Sequence, residues 1–120
     1  MAEYKQYITQ VLENGNVMIS EDVIASIIIE TLSEVDGVSG LATKPVSELA
    51  DRFGMNWGKG MKLTIGEDNT VAIDCNLIVN FGVSVIDVAT NAQQAIISAV
   101  EGIAGVKVNS INVNVCGIAR

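Results

Sequence analysis

Val71-Ala-Ile-Asp-Cys-Asn-Leu-Ile-Val79 alternates along its length. Val71, Ile73, Cys75, Leu77 and Val79 fall on one face, and Asp74, Asn76 and Asn80 on the other. A period of two is the mark of a half-buried strand. Phe81-Gly-Val83 breaks the pattern, and Ser84 stands where a helix N-cap would stand, with Asp87 in the first turn. Val85, Val88, Ala89, Ala92, Ala95, Ile96, Ala99 and Ile103 then recur at helical spacing, which directs one stripe to a core. Gly102 and Gly105 end the helix, and the run from Val106 to Cys116 is strand-like again. A strand, a crossover helix and a second strand in the same direction make one sheet with a helix across one face.

Working outward, Met61-Lys-Leu-Thr-Ile65 alternates too, and Gly66–Thr70 forms a hairpin turn into the Val71 strand. Val106 and Val108 have even parity, whereas Ile111, Val113 and Val115 have odd. A β-bulge near Asn109-Ser110 keeps both sets inward. The last strand has two candidate places, beside Met61–Ile65 or parallel to Val71–Asn80. Towards the N-terminus, Asn14-Gly-Asn16 is turn chemistry and Val17-Met-Ile19 a short strand. Ser20 is a second N-cap candidate, followed by Glu21 and Asp22 and by a stripe of Val23, Ile24, Ile27, Ile28, Thr31, Leu32 and Val35. Residues 1–13 are expected to be a flexible or weakly helical arm, and residues 14–120 one domain. The expected fold class is α+β: a small two-layer domain with a three- to four-stranded mixed sheet and two main helices packed on one face.

A short internal repeat links the two helix exits. Val35-Asp-Gly-Val-Ser-Gly-Leu41 matches Val100-Glu-Gly-Ile-Ala-Gly-Val106 by residue class at every position. In each copy the first Gly is expected to be a left-handed cap and the second a tight turn or close approach. The same GxxG spacing occurs in backbone-clamping loops of RNA binders, but here Asp36 and Glu101 flank it, which opposes that use.

Composition excludes several function classes. The 120-residue chain is 49% hydrophobic and 4% aromatic, so its core is aliphatic. A mean hydropathy of +0.41 implies efficient burial or apolar surface covered by other subunits. Fourteen acidic residues against 7 basic give a net charge of -7. The basic residues are scattered, which argues against nucleic acid and against direct docking on an anionic membrane. His is absent, no CxxC occurs, and no cofactor or metal is expected. Nucleophilic catalysis wants a Ser or Cys beside a base, and the carboxylates are dispersed, so an enzyme is not expected. The start of the chain lacks a basic region and an apolar run, and no stretch reaches the roughly 20 apolar residues of a membrane span. A cytoplasmic location is the expectation. Cys75 and Cys116 both fall in strand-like runs, and two buried free thiols are expected, the alternative being a pair facing each other across neighbouring strands.

Candidate interaction residues come from two places. Asp74, Asn76, Asn80, Asn112 and Asn114 share the outer face of the sheet, either as a solvated face or as a hydrogen-bonding surface for self-association or a partner. Trp57 lies in the Gly-rich stretch Gly54–Gly60, either as a partner anchor or folded back over a core edge. The candidate interaction surface is Trp57, Asp74, Asn76, Asn112 and Asn114.

The runs Gly15–Ile24, Val35–Leu41, Lys59-Gly-Met-Lys-Leu63, Val79-Asn-Phe-Gly-Val83 and Val108–Val115 with its Ile111-Asn-Val-Asn-Val115, in this order and spacing, resemble the alkaline-shock, envelope-stress-response proteins of Gram-positive bacteria. The resemblance spans about residues 15–118. It implies a small non-catalytic cytoplasmic protein of cell-envelope homeostasis, a homo-oligomer, and a small membrane-anchored protein partner that holds it at the membrane. It carries over no site residue. The alternative function is a small-ligand-binding or accessory domain of a metabolic system.

Overall fold

A computed structural model describes residues 7–42, 60–66 and 68–120. Along the chain they form β1 (Tyr7–Leu12), β2 (Gly15–Ser20), α1 (Glu21–Ser33), β3 (Val38–Leu41), β4 (Met61–Ile65), β5 (Thr70–Asn80), α2 (Val85–Ala99), a π-helical turn (Val100–Ala104) and β6 (Lys107–Ala119). The class is α+β, with two helices over one face of a mixed sheet. Strand β5 is its axis. β6 runs parallel along its whole length, from Thr70 opposite Lys107 to Asn80 opposite Ala119. On the other side two short antiparallel strands share β5 end to end, β4 against Val71–Cys75 and β3 against Leu77–Val79. Of the two places open to the last strand, β6 takes the parallel one.

The inward residues of β5 (Val71, Ile73, Cys75, Leu77 and Val79) are all fully buried. Ile24, Ala25, Ile28 and Leu32 of α1 pack there with Ala92 and Ile96 of α2, and Val88 is buried as well. Ser84 caps α2, its Oγ accepting from the Asp87 N–H at 3.4 Å, whereas Ser20 makes no such bond at the start of α1. The bulge expected near Asn109 is present: Val71 pairs with Val108 and Ala72 with Ser110, leaving Asn109 over. A second register shift leaves Cys116 over between Val115 and Gly117.

Several expectations are corrected. Residues 7–12 are a strand, not a flexible or weakly helical arm. Ile8 enters the core, the Asn69 side chain donates to the Thr9 carbonyl at 2.8 Å, and the Gln10 side chain donates to the Gly105 carbonyl at 3.0 Å. These three ties bind β1 to parts of the chain far away in sequence, and β2 pairs with it around the Glu13-Asn14 turn. Ile103 was placed on the buried stripe of α2 but is 72% exposed. The buried positions step by four through Val88, Ala92, Ile96 and Val100, and the π-helical turn after Ala99 rotates Ile103 outward. The glycine roles also divide differently. In the first exit Gly37 has φ +94, and in the second it is Gly105, φ +68, that is left-handed, while Gly102 lies within the π-helical turn. Cys116, expected buried, is an exposed free thiol, because it shares the parity of the outward Asn112 and Asn114 and not that of Ile111, Val113 and Val115; Cys75 is free and buried.

Candidate functional site

Alternation on β5 and β6 fixes the outer polar face. Register sets Asp74 beside Asn112 and Asn76 beside Asn114, and paired residues of parallel strands project to the same side. The side chains meet: Asn112 Nδ2 donates to Asp74 Oδ1 at 2.9 Å, and Asn114 Nδ2 donates to Asn76 Oδ1 at 3.2 Å. The result is two cross-strand polar rows, one step apart along the sheet. Lys62 of β4 pairs with Asp74 from the other side, so one row crosses three strands as Lys62, Asp74 and Asn112. Asn112 and Asn114 each use one amide N–H in their rows, whereas Asn76 uses its oxygen as acceptor. The carbonyl oxygens and second N–H groups of the exposed Asn112 and Asn114 keep capacity for a ligand group.

Asn76 holds a special position. It is 8% exposed although it lies on the outer side of the sheet. Its N–H donates to the Gly60 carbonyl and its carbonyl accepts from the Ala42 N–H, both at 2.9 Å. It therefore joins the end of β3 to the start of β4. Gly60 has φ +77, and a Cβ there would lie 2.8 Å from Leu41 Cβ and 2.9 Å from the Ala42 carbonyl oxygen. Only Gly allows that approach. Trp57 lies outside the described residues, between these two joined ends. Of the sequence-derived candidates, the structure brings Asp74, Asn76, Asn112 and Asn114 together. It sets Asn80 apart at the end of β5, where its N–H donates to the Gly37 carbonyl.

Directly behind the face, burial first and the Asp74 carboxylate second push the Cys75 thiol up to about 12. The protonated thiol is a poor nucleophile and metal ligand, and here it serves as core. Among the described residues, no group of three or more His, Cys, Asp or Glu could hold a metal ion.

Two surfaces escaped the sequence reading. The first is the β1–β2 hairpin, whose outer part exposes Tyr7, Val11, Leu12, Val17 and Met18, with Val11 at 80% and Met18 at 61%. A signal was present: two apolar runs flank a turn ending in Gly15, which is the pattern of a hairpin. The second is an open groove of about 640 Å³ at the far end of β5, lined by Ser39, Asn80, Phe81, Ala119 and Arg120. There the Arg120 guanidinium lies 5.6 Å from the centre of the Phe81 ring. No helix among the described residues is long and apolar enough to cross a membrane.

Comparison with known proteins agrees with this fold. Among solved structures, a MamM CTD with a single Met-to-Leu substitution superposes with a TM-score of 0.50 at 17% identity, covering 81% of this chain and 96% of that one. At that identity the likeness is one of fold. YqhY of Bacillus subtilis (strain 168) is 35% identical over 105 residues, which is 87% of this chain and 77% of the relative. A Streptococcus pyogenes serotype M6 protein, Spy1535, is 34% identical over 105 residues, 87% of this chain and 79% of its own length. Residues 9–120 match a family described by a cell envelope-related function, and the chain is a member of that family, the alkaline shock proteins.

Proposed function

We propose that this chain is a non-catalytic scaffold of cell-envelope homeostasis that works in the cytoplasm through self-association and a protein partner. The observation that supports this reading is the apolar surface of the N-terminal hairpin, where Val11, Leu12, Val17 and Met18 stay exposed next to a well-filled core. Large exposed apolar groups on a small domain mark interaction sites. The family's cell envelope-related function supplies the setting. In this reading the partner is a small membrane-anchored protein, and the polar rows of Asp74, Asn76, Asn112 and Asn114, with Trp57, form the surface that meets it. The test is in-cell cross-linking followed by capture, with membrane and soluble fractions kept apart. Self-cross-links together with a small membrane protein in the membrane fraction support the scaffold. Soluble metabolic proteins alone, with no self-cross-links, refute it. A second reading, a small-ligand-binding accessory domain, draws on the groove beside Phe81 and Arg120. A ligand retained in native mass spectrometry and lost in Phe81→Ala would favour it.

A further inference from the structure

The edges of the sheets are not equally protected. β3 and β4 are short and meet end to end, with Lys62 on β4. β6 is long, but it begins at Lys107, is broken by register shifts at Asn109 and Cys116, and has its Val108 N–H bonded to the Glu101 carboxylate. β1 turns its outer edge to the body, where Asn69 takes the Thr9 carbonyl. Bulges, short strands and charges are the devices that keep edges from pairing. β2 has none of them. Gly15–Ser20 pairs in unbroken register with β1, carries no charge and no Pro, and among the described residues has no strand on its other side.

Hairpin geometry says which groups are free. Leu12 and Gly15 close the turn as a bonded pair, so Leu12, Gln10 and Ile8 of β1 bond to Gly15, Val17 and Ile19 of β2. Thr9 then points away from β2, in agreement with its bond to Asn69. By the same alternation, Asn16 and Met18 direct N–H and C=O outward from β2. Charge restricts what can pair there. The chain carries a net charge of -7, and Glu13 is the only charged residue between Tyr7 and Ser20. The strand itself adds no like charge to a seam between two copies, and the nearest acidic residues, Glu13 and Glu21, lie beyond its two ends.

The geometry points to a two-fold dimer in which β2 pairs antiparallel with β2 of a second copy, centred on Val17. This rests on the self-association reading and gives it an interface. Asn16 of each copy exchanges both main-chain bonds with Met18 of the other, and the two hairpins become one four-stranded antiparallel sheet. Such an isologous contact closes on itself, so it stops at the dimer. The exposed Val11 and Met18 side chains then flank the new seam on one face, and Leu12 and Val17 on the other.

Sedimentation equilibrium and native mass spectrometry of the full chain test this. The wild type is expected to dimerise. Met18→Pro removes an outward N–H and leaves the β1 ladder intact, and it should weaken the dimer roughly a hundredfold through the two donors lost per dimer. Met18→Lys, which adds charge at the seam, should do the same, with circular dichroism verifying the fold of each variant. In a Cys116→Ser background, Val17→Cys should link two chains when treated with oxidised glutathione, and Lys107→Cys should not. A wild-type dimer unaffected by either Met18 variant and not linked through Val17→Cys overturns this interface but leaves self-association standing. A strictly monomeric wild type overturns both, and slow amide exchange at Asn16 and Met18 in that monomer would mean that the chain covers its own edge.

Discussion

Gly37→Ala is the substitution whose cost the structure specifies best. Gly37 has φ +94, and a Cβ there would lie 2.6 Å from Val88 Cγ2 and 3.4 Å from Val88 Cγ1. Left-handed backbone costs a non-Gly residue about 1–2 kcal/mol. Forcing Val88 aside in a packed core adds about 1–3 kcal/mol. The stiffer unfolded chain returns about 0.4–1 kcal/mol. The net loss is about 3 kcal/mol, which for a chain of this length lowers Tm by about 12 °C at roughly 2.1 cal/mol/K of unfolding entropy per residue. Urea unfolding at fixed protein concentration is the assay, because self-association makes apparent stability depend on concentration. The midpoint should fall with the slope unchanged. Val88→Ala should cost less in the Gly37→Ala background than alone, since it removes the methyl groups that collide. Gly40 is the control, with an ordinary φ and open space around its Cβ position, so Gly40→Ala should stay within about 0.5 kcal/mol. If Gly37→Ala also stays within that range, or Gly40→Ala costs as much, the account of this turn is wrong.

Gly105 should behave oppositely to its repeat counterpart: Gly105→Ala costs about 1–2 kcal/mol by urea unfolding through backbone strain alone, because nothing stands within 4 Å of its Cβ position. Ser84→Ala should cost about 0.5 kcal/mol, the low end for an N-cap, and Ser20→Ala close to nothing, since its side chain caps no N–H. A thiol reagent should modify Cys116 in the folded protein and reach Cys75 only on unfolding. Cys75 also has a pH signature. Burial raises its pKa in the folded chain from the ordinary 9.0 to about 12, so between those values the native state holds a proton that the unfolded state has lost. Stability must then fall with rising pH across that window, by up to about 1.4 kcal/mol per unit, and be unaffected by this group below it. The difference in denaturation midpoints between wild type and Cys75→Val isolates the effect; an equal pH slope in both would refute it.

The centre of the fold was legible because its signals are local and agree. β5 alternates strictly, Ser84 caps the following helix, and the parity switch between Val108 and Ile111 disclosed the bulge at Asn109. The outer rows followed from the same alternation, and register did the rest by matching Asp74 to Asn112 and Asn76 to Asn114. What was illegible depends on distant contacts. Thr9 and Gln10 interrupt the apolar pattern of β1, and the bonds that hold them come from Asn69 and Gly105. The second register shift, at Cys116, is signalled only by Ile118, whose even parity follows the odd Val113 and Val115 and which pairs with Val79 but is itself 56% exposed. Helical spacing carried Ile103 into the core only by assuming an unbroken 3.6-residue turn, and the π-helical segment removes that assumption.

A scaffold that both self-associates and holds a partner needs two surfaces that can be occupied together. The hairpin and the polar rows meet that requirement on chemical grounds. The hairpin offers neutral main chain and apolar side chains, held to the body by Ile8, Thr9 and Gln10. The rows offer fixed amides and one carboxylate on β5 and β6, which pair without a break in register from Ala72 to Leu77. The two can therefore be separated by mutation. Asp74→Ala with Asn112→Ala removes one row from an exposed pair and should cost less than about 1 kcal/mol of stability. It should leave the dimer intact while lowering capture of a membrane-fraction partner. Met18→Pro should weaken the dimer roughly a hundredfold and leave single-chain capture in place, reduced only by the loss of two-point attachment. If either variant removes both activities while circular dichroism reports an intact fold, the two surfaces are one, and the division of labour drawn here fails.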